Sequence, residues 1–194
     1  MNTRNLIPAA LAAAALSVFG CQSNPSNTDA GEPAAQPSSN QSRADTDREA
    51  LAHLVGVWNF RGWSTLNGQH HDASGRAAAS IENKYFILMD IQASSGDFAG
   101  GATRKSGSFL FASEPGMGLT LTAWGDASPS IRRLMGQSNN SGGELSYKEL
   151  QPPEDLRRIA LTITFQGSDR WTAEVRDSSA AGRPLVASYT FTRQ

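Results

Sequence analysis

The chain has 194 residues, enough for one domain of ordinary size. It carries 17 Lys and Arg residues against 18 Asp and Glu residues, and this net charge of −1 gives it no bulk electrostatic attraction for nucleic acid. Its single cysteine, Cys21, excludes an intrachain disulfide framework and any zinc or iron–sulfur site built from cysteines.

Residues 1–20 have the pattern of a secretory signal peptide, in which Arg4 precedes an uncharged, Ala- and Leu-rich run at residues 6–19. That run is too short to span a bilayer, which needs about 20 residues. Its end, Val18-Phe19-Gly20-Cys21, resembles the lipobox of bacterial lipoproteins. The resemblance implies cleavage before Cys21 and attachment of diacylglycerol and a further acyl chain, such as palmitate, to the new terminus. The alternative is a plain signal peptide with a buried structural cysteine.

Lipidation at Cys21 would make the membrane a partner of this chain, because two or three acyl chains hold a protein firmly on a bilayer. Gln22 stands where an Asp retains enterobacterial lipoproteins in the inner membrane. We therefore expect a protein of the bacterial cell envelope, anchored in the outer membrane and facing the periplasm.

Residues 21–47 are predicted to be the lipidated cysteine and a disordered tether. From Gln22 to Asp47 the chain contains no aromatic residue and no Leu, Ile, Val or Met. Such a segment cannot bury enough apolar surface to offset the entropy lost on ordering. Residues 48–194 are then the folded domain.

A short helix is predicted to open this domain. Thr46, with Glu49 three residues later, has the spacing of a capping box. Leu51 and Leu54 fall on one helical face. Gly56 ends the helix.

Beyond Gly56 the apolar residues recur with a period of two, as in Ile159, Leu161 and Ile163, which is typical of half-buried antiparallel strands. Turn signals separate these runs, and none is followed by a helical crossover. The fold class is therefore predicted to be all-β, an antiparallel up-and-down β-barrel of about ten strands, with a two-sheet β-sandwich as the alternative. The strands are expected near residues 56–66, 74–82, 84–93, 105–112, 118–125, 130–137, 144–150, 157–166, 170–178 and 184–193.

The start of the first strand, Gly56-Val57-Trp58, resembles the Gly-x-Trp signature of lipocalins and the wider calycin barrels. In that group the Trp closes the floor of the barrel. A basic residue of the last strand packs across the Trp and bonds to backbone near the opening helix. Arg193 holds that position here, so the resemblance implies a barrel-floor pair of Trp58 and Arg193.

The domain also resembles a family of bacterial single-domain barrels of unknown function, which are often secreted or lipid-anchored. This resemblance implies a fold and no particular activity. Its segments in this chain are Leu54 to Trp58, Asn83 to Met89, Gly96 to Gly107, and Trp124-Gly125-Asp126.

Aromatic side chains on inward positions are the candidates for lining a ligand cavity. A barrel of this size is wide enough to leave a cavity, and many other inward positions are small. We predict that the barrel binds a small apolar or amphipathic molecule without catalysis. The alternative is a structural or interaction lipoprotein whose filled barrel engages a protein partner. The lining candidates are Phe60, Phe109, Phe111, Trp171, Tyr189 and Phe191.

No metal or cofactor site is expected. The adjacent pair His70-His71 would point to opposite faces of a strand, so the two rings cannot easily share one metal ion. His53 is the only histidine placed to bind haem as in nitrobindin-like barrels, and we expect no cofactor there.

Catalysis would need polar side chains clustered on inward positions. No Gly-x-Ser-x-Gly elbow is present in the sequence. The residues to check are Asp90, Arg133 and Glu174. Arg133 and its neighbour Arg132 would point to opposite faces of a strand, and an inward Arg133 would meet a carboxylate.

Overall fold

In a computed structural model, the described residues are 39–66, 68–83, 85–96, 106–114, 117–125, 128–139, 141–151 and 158–194. The signal peptide, Cys21 and most of the predicted tether lie outside them. The helix α1 spans Ser39–Ala52. The strands are β1 (Gly56–Leu66), β2 (Gln69–Asn83), β3 (Phe86–Gly96), β4 (Ser106–Glu114), β5 (Gly118–Gly125), β6 (Ser128–Ser138), β7 (Glu144–Glu149), β8 (Ile159–Phe165), β9 (Arg170–Asp177) and β10 (Leu185–Arg193).

Each strand pairs antiparallel with the next along the chain, and β1 pairs with β10 to close a ten-stranded barrel. The predicted up-and-down barrel is confirmed, and the two-sheet alternative is wrong because the sheet has no free edge. The largest difference in a strand boundary is at β2, which begins at Gln69 and not near residue 74. Its polar first residues are held by β1, where Leu66 pairs with Gln69 and Trp63 with Asp72.

Helix α1 begins at Ser39, seven residues before the predicted cap Thr46, so the end of the predicted tether is helical. The barrel supplies the contacts that the helix sequence lacks. Asp47 is buried and accepts hydrogen bonds from the backbone and the hydroxyl of Ser138. Ser113 Oγ donates to the carbonyl of Ala44 at 3.4 Å. A polar helix is therefore stabilised by side chains distant in sequence.

The two ends of the barrel differ. At the end where odd-numbered strands begin, here called the helix end, α1 packs against β4, β5 and β6. Leu51 and Leu54 are buried in the core there. The opposite end, where β1 turns into β2, is called the open end. Residues 36–194 form one compact unit, so a chain beginning at Gln36 keeps all the contacts described.

Three inward glycines let neighbouring strands approach closely. A Cβ atom at any of them would collide with an aromatic ring or with backbone of the paired strand. Covering a strand glycine with an aromatic ring is a recognised way to stabilise the bends of a barrel. The pairs are Gly62 with Tyr189, Gly75 with Phe60, and Gly136 with Tyr147.

Among the described residues, no helix is both long enough and apolar enough to cross a membrane.

Candidate functional site

Trp58 and Arg193 meet at the helix end. The Trp58 side chain is buried, and its Nε1 donates to the carbonyl of Leu54 at 2.8 Å, which ties β1 to the chain just after α1. The Arg193 guanidinium lies 4.4 Å from the centroid of the Trp58 ring, within cation–π range. Arg193 Nε donates to the carbonyl of Ser168, in the β8–β9 turn, at 3.0 Å. The resemblance had implied a bond to backbone near the opening helix instead.

The predicted lining aromatics divide into two groups. Five of the six, all but Phe109, are buried. Trp171 stacks on Phe191 with centroids 3.6 Å apart, and Phe60 lies 5.7 Å from Phe191, so these rings fill the barrel near its helix end. Phe109 is only half-buried. That any of the six contacts a ligand stays a prediction.

Toward the open end, inward side chains on five of the strands become partly exposed, whereas Ser64, Ala73, Ala93 and Ala187 stay buried. Most of the partly exposed ones are small or aliphatic, and short side chains do not reach the axis of a wide barrel. Solvent therefore reaches inward positions on β4, β5, β6, β8 and β9. We call this set the mouth ring: Phe109, Ala123, Arg132, Ile159, Ala173 and Val175.

A buried ion pair interrupts this apolar surface. Arg132 Nη1 donates to both carboxylate oxygens of Glu149, at 3.0 and 2.9 Å. The Glu149 side chain is fully buried, and its Oε2 also accepts from the backbone N–H of Ile159 at 3.0 Å. A buried charge is tolerated when it is paired and hydrogen-bonded in this way. The predicted site residues did not include Glu149, although its alternation with Leu145 and Tyr147 indicated an inward position.

The three polar residues that would have marked a catalytic cluster are not brought together. Arg133 and Asp90 are exposed, and Asp90 accepts from Ser108 Oγ at 2.5 Å. Glu174 pairs with Arg176 at 3.2 Å on the outside of β9. The possibility of an inward Arg133 is wrong, because the register of β6 directs Arg132 and Leu134 inward.

The histidines lie apart. His53 is exposed, and its ring packs 5.1 Å from the ring of Phe165. His70 forms a 2.9 Å contact with Asp72, and both residues lie on β2. Within the described part of the chain, no three His, Cys, Asp or Glu side chains are grouped so as to hold a metal ion.

Several polar atoms point into the closed interior without a protein partner. Among the described residues these include Ser64 Oγ, Trp171 Nε1 and the Tyr147 hydroxyl. Burial, with a smaller contribution from the charge of Asp47, raises the pKa of Tyr147 well above its usual range. Tyr147 therefore stays a neutral hydrogen-bond donor at ordinary pH. Such groups suit the oxygen of a neutral molecule or of a buried water.

Neither a protein-family model nor a curated protein matches this chain. Among solved structures, the crystal structure of Rv2717c from M. tuberculosis matches with a TM-score of 0.54 and 16% identity, covering 76% of this chain and 97% of that one. A redesigned β-barrel, mFAP1 bound to DFHBI, matches with a TM-score of 0.38 and 15% identity, covering 74% of this chain and 98% of that one. The likeness to Rv2717c is one of fold. This chain has a lipocalin-like barrel.

Proposed function

We propose that this protein is lipid-anchored in the bacterial envelope and that its barrel binds a small apolar or amphipathic molecule without changing it chemically. The observation that carries the proposal is the mouth ring. Its partly exposed, mostly aliphatic side chains lie inside a barrel whose other end is covered by α1 and packed with aromatic rings. Among the described residues, this arrangement is that of a cup whose entrance is at the open end.

The chemistry of the cup favours a neutral or weakly polar ligand. Glu149 is paired with Arg132, the charged member of the mouth ring. The two side chains together carry no net charge that would attract a free anion. Apolar surface surrounds this pair, and the buried Ser64 hydroxyl lies on β1 at the level of Val175, through the pairs of Ser64 with Ala187 and of Ala187 with Val175. A molecule with an apolar body and a single hydrogen-bonding group matches this distribution.

Narrowing the cup tests the binding. We expect residues 36–194, purified without detergent, to carry an extra mass in native mass spectrometry that is lost on denaturation. We also expect the apolar probe N-phenyl-1-naphthylamine to bind. Ala173→Phe points a ring into the mouth and is expected to weaken probe binding about tenfold or more, because overpacking a site of this size excludes the ligand.

The matched control is Thr172→Phe, which adds the same ring to the outer face of β9. It is expected to leave both the extra mass and the probe affinity unchanged. A wild-type protein that carries no extra mass and does not bind the probe would contradict the proposal that the barrel binds a small molecule. A filled barrel that engages a protein partner would then be the better reading.

Lipid anchoring is tested separately. Cys21→Ser in the full chain is expected to abolish incorporation of labelled palmitate and to weaken the attachment of the protein to the membrane fraction. The physical reason is that each buried methylene contributes roughly 0.8 kcal/mol to membrane binding, and the serine hydroxyl does not form the thioether. Unchanged labelling in the variant would contradict a lipid on Cys21.

A further inference from the structure

Exposed apolar side chains are concentrated on one outer face of the barrel. Seven large apolar residues are exposed among the described residues. Four of them lie on β5 or β6 or directly after β7, and a fifth, Met117, lies apart from these four, directly before β5 at the helix end. Three basic residues, Arg133, Lys148 and Arg158, share this face and are also exposed. We call these four apolar and three basic side chains together the β5–β7 face. Its apolar members are Trp124 (39% exposed), Ile131 (55%), Met135 (42%) and Leu150 (55%).

The strand register makes these residues neighbours. Ala123 pairs with Arg132, and the register between β5 and β6 shifts just beyond this pair, where their chain neighbours Trp124 and Ile131 are both exposed. Met135 pairs directly with Lys148. The backbone N–H of Leu150 donates to the carbonyl of Arg133 at 3.3 Å, so Leu150 lies beside Arg133. Apolar and basic side chains are therefore interleaved on one continuous surface.

The charge of this surface has one sign where the side chains are described. None of the three basic residues forms an ion pair with a carboxylate of the described residues. On β7 the acidic residue that points outward is Glu144, at the helix end. Glu144 and Lys148 are four positions apart on β7, so their Cα atoms are separated by about 13 Å. Among the described residues, the open-end part of the face is complementary to a negatively charged surface.

The face also adjoins the mouth ring. Trp124 and Arg133 point outward, while their chain neighbours Ala123 and Arg132 point inward to the mouth. A surface that contacts the β5–β7 face therefore lies directly beside the entrance of the barrel.

We propose that the β5–β7 face docks on the surface of an anionic lipid bilayer. Trp and branched aliphatic side chains enter the interfacial layer, and Arg and Lys side chains contact the headgroups. A protein partner fits less well, because Lys148 lies beside Met135 among the apolar side chains, and lysine is depleted in the core of protein–protein interfaces. The proposed lipid anchor would keep this face near a membrane, but docking itself does not depend on the anchor.

A site-specific fluorophore tests the contact. Residues 36–194 contain no cysteine, so a single introduced cysteine is labelled uniquely. We expect a nitrobenzoxadiazole label on Ile131→Cys to shift to the blue and brighten about twofold or more with phosphatidylcholine vesicles containing roughly one third phosphatidylglycerol, because the label enters the interface. The same label on Val57→Cys, exposed at the helix end, is the control and should not respond.

Vesicle sedimentation tests which side chains are responsible. Trp124→Ser with Leu150→Ser, or Arg133→Gln with Lys148→Gln, is expected to weaken binding to the same vesicles about tenfold or more. The matched surface variant Val57→Ser with Ile81→Ser should stay within about twofold, because it removes exposed apolar side chains that are not on the face. Vesicles of phosphatidylcholine alone should bind weakly.

Three results would overturn the proposal. They are equal label responses at positions 131 and 57, equal binding by the face and control variants, or a wild-type dimer in sedimentation equilibrium that the face variants dissociate. Binding of N-phenyl-1-naphthylamine distinguishes the membrane-docking proposal from the proposal that the barrel binds a ligand. Face variants that lose vesicles should still bind N-phenyl-1-naphthylamine, and Ala173→Phe, which loses the probe, should still bind vesicles.

Discussion

Glu149→Ala is expected to lower the free energy of unfolding of residues 36–194 by about 3–5 kcal/mol, the usual effect of removing one partner of a buried ion pair. The variant leaves the Arg132 guanidinium without its carboxylate. It also leaves the backbone N–H of Ile159 without its acceptor, at the point where β8 begins. Urea denaturation followed by circular dichroism measures the change.

Two further variants show whether the effect belongs to the pair. Lys148→Ala, the exposed neighbour on the same strand, is expected to change stability by no more than about 0.5 kcal/mol. Arg132→Met combined with Glu149→Leu is expected to recover most of the lost stability, because an apolar pair of similar size removes the cost of desolvating two charges. A Glu149→Ala protein as stable as wild type would contradict the buried pair.

The same double variant connects stability to binding. With both charges replaced, the mouth ring becomes wholly apolar while its aliphatic members stay in place. The cup proposal holds that these aliphatic side chains provide the binding surface. The double variant is therefore expected to keep its affinity for N-phenyl-1-naphthylamine, while the ion pair itself holds β6, β7 and β8 together.

Alternation of apolar and polar residues in part of the chain, together with the turn signals between the runs, was enough to predict the barrel and the approximate place of its ten strands. It was not enough to orient every strand. In β6, apolar residues fall on both faces, with Leu134 inward and Ile131 and Met135 outward. Alternation within this strand therefore cannot decide between Arg132 and Arg133. The register with β5 and β7 decides it, and register depends on strands distant in the sequence.

The start of α1 was missed for a related reason. Residues 39–47 contain almost nothing apolar, and composition indicated a tether. Asp47 is nevertheless buried, because Ser138 at the end of β6 supplies its hydrogen bonds. Composition reports only what a segment brings to its own folding. It does not report the polar partners that a neighbouring barrel provides.

Trp58→Ala is expected to lower the free energy of unfolding by about 3–5 kcal/mol, the usual cost of removing a buried aromatic side chain. The indole is 1% exposed and contacts Trp171 edge-on, with centroids 5.9 Å apart. Its Nε1 hydrogen bond to Leu54 also holds the segment between α1 and β1. We therefore expect faster tryptic cleavage in α1, at Arg43 and Arg48, as well as a lower urea midpoint.

Trp63 on the same strand provides the matched control. Its ring is only half-buried and stacks on the exposed His70, so Trp63→Ala is expected to cost about 1 kcal/mol or less and to leave cleavage in α1 unchanged. Trp58→Phe keeps part of the packing but loses the bond to Leu54, and its stability should fall between those of wild type and Trp58→Ala. Equal losses of stability in Trp58→Ala and Trp63→Ala would contradict the prediction that Trp58 stabilises the attachment of α1 to the barrel. If only Trp58 matters, the segment between α1 and β1 is held in place by the first strand of the barrel.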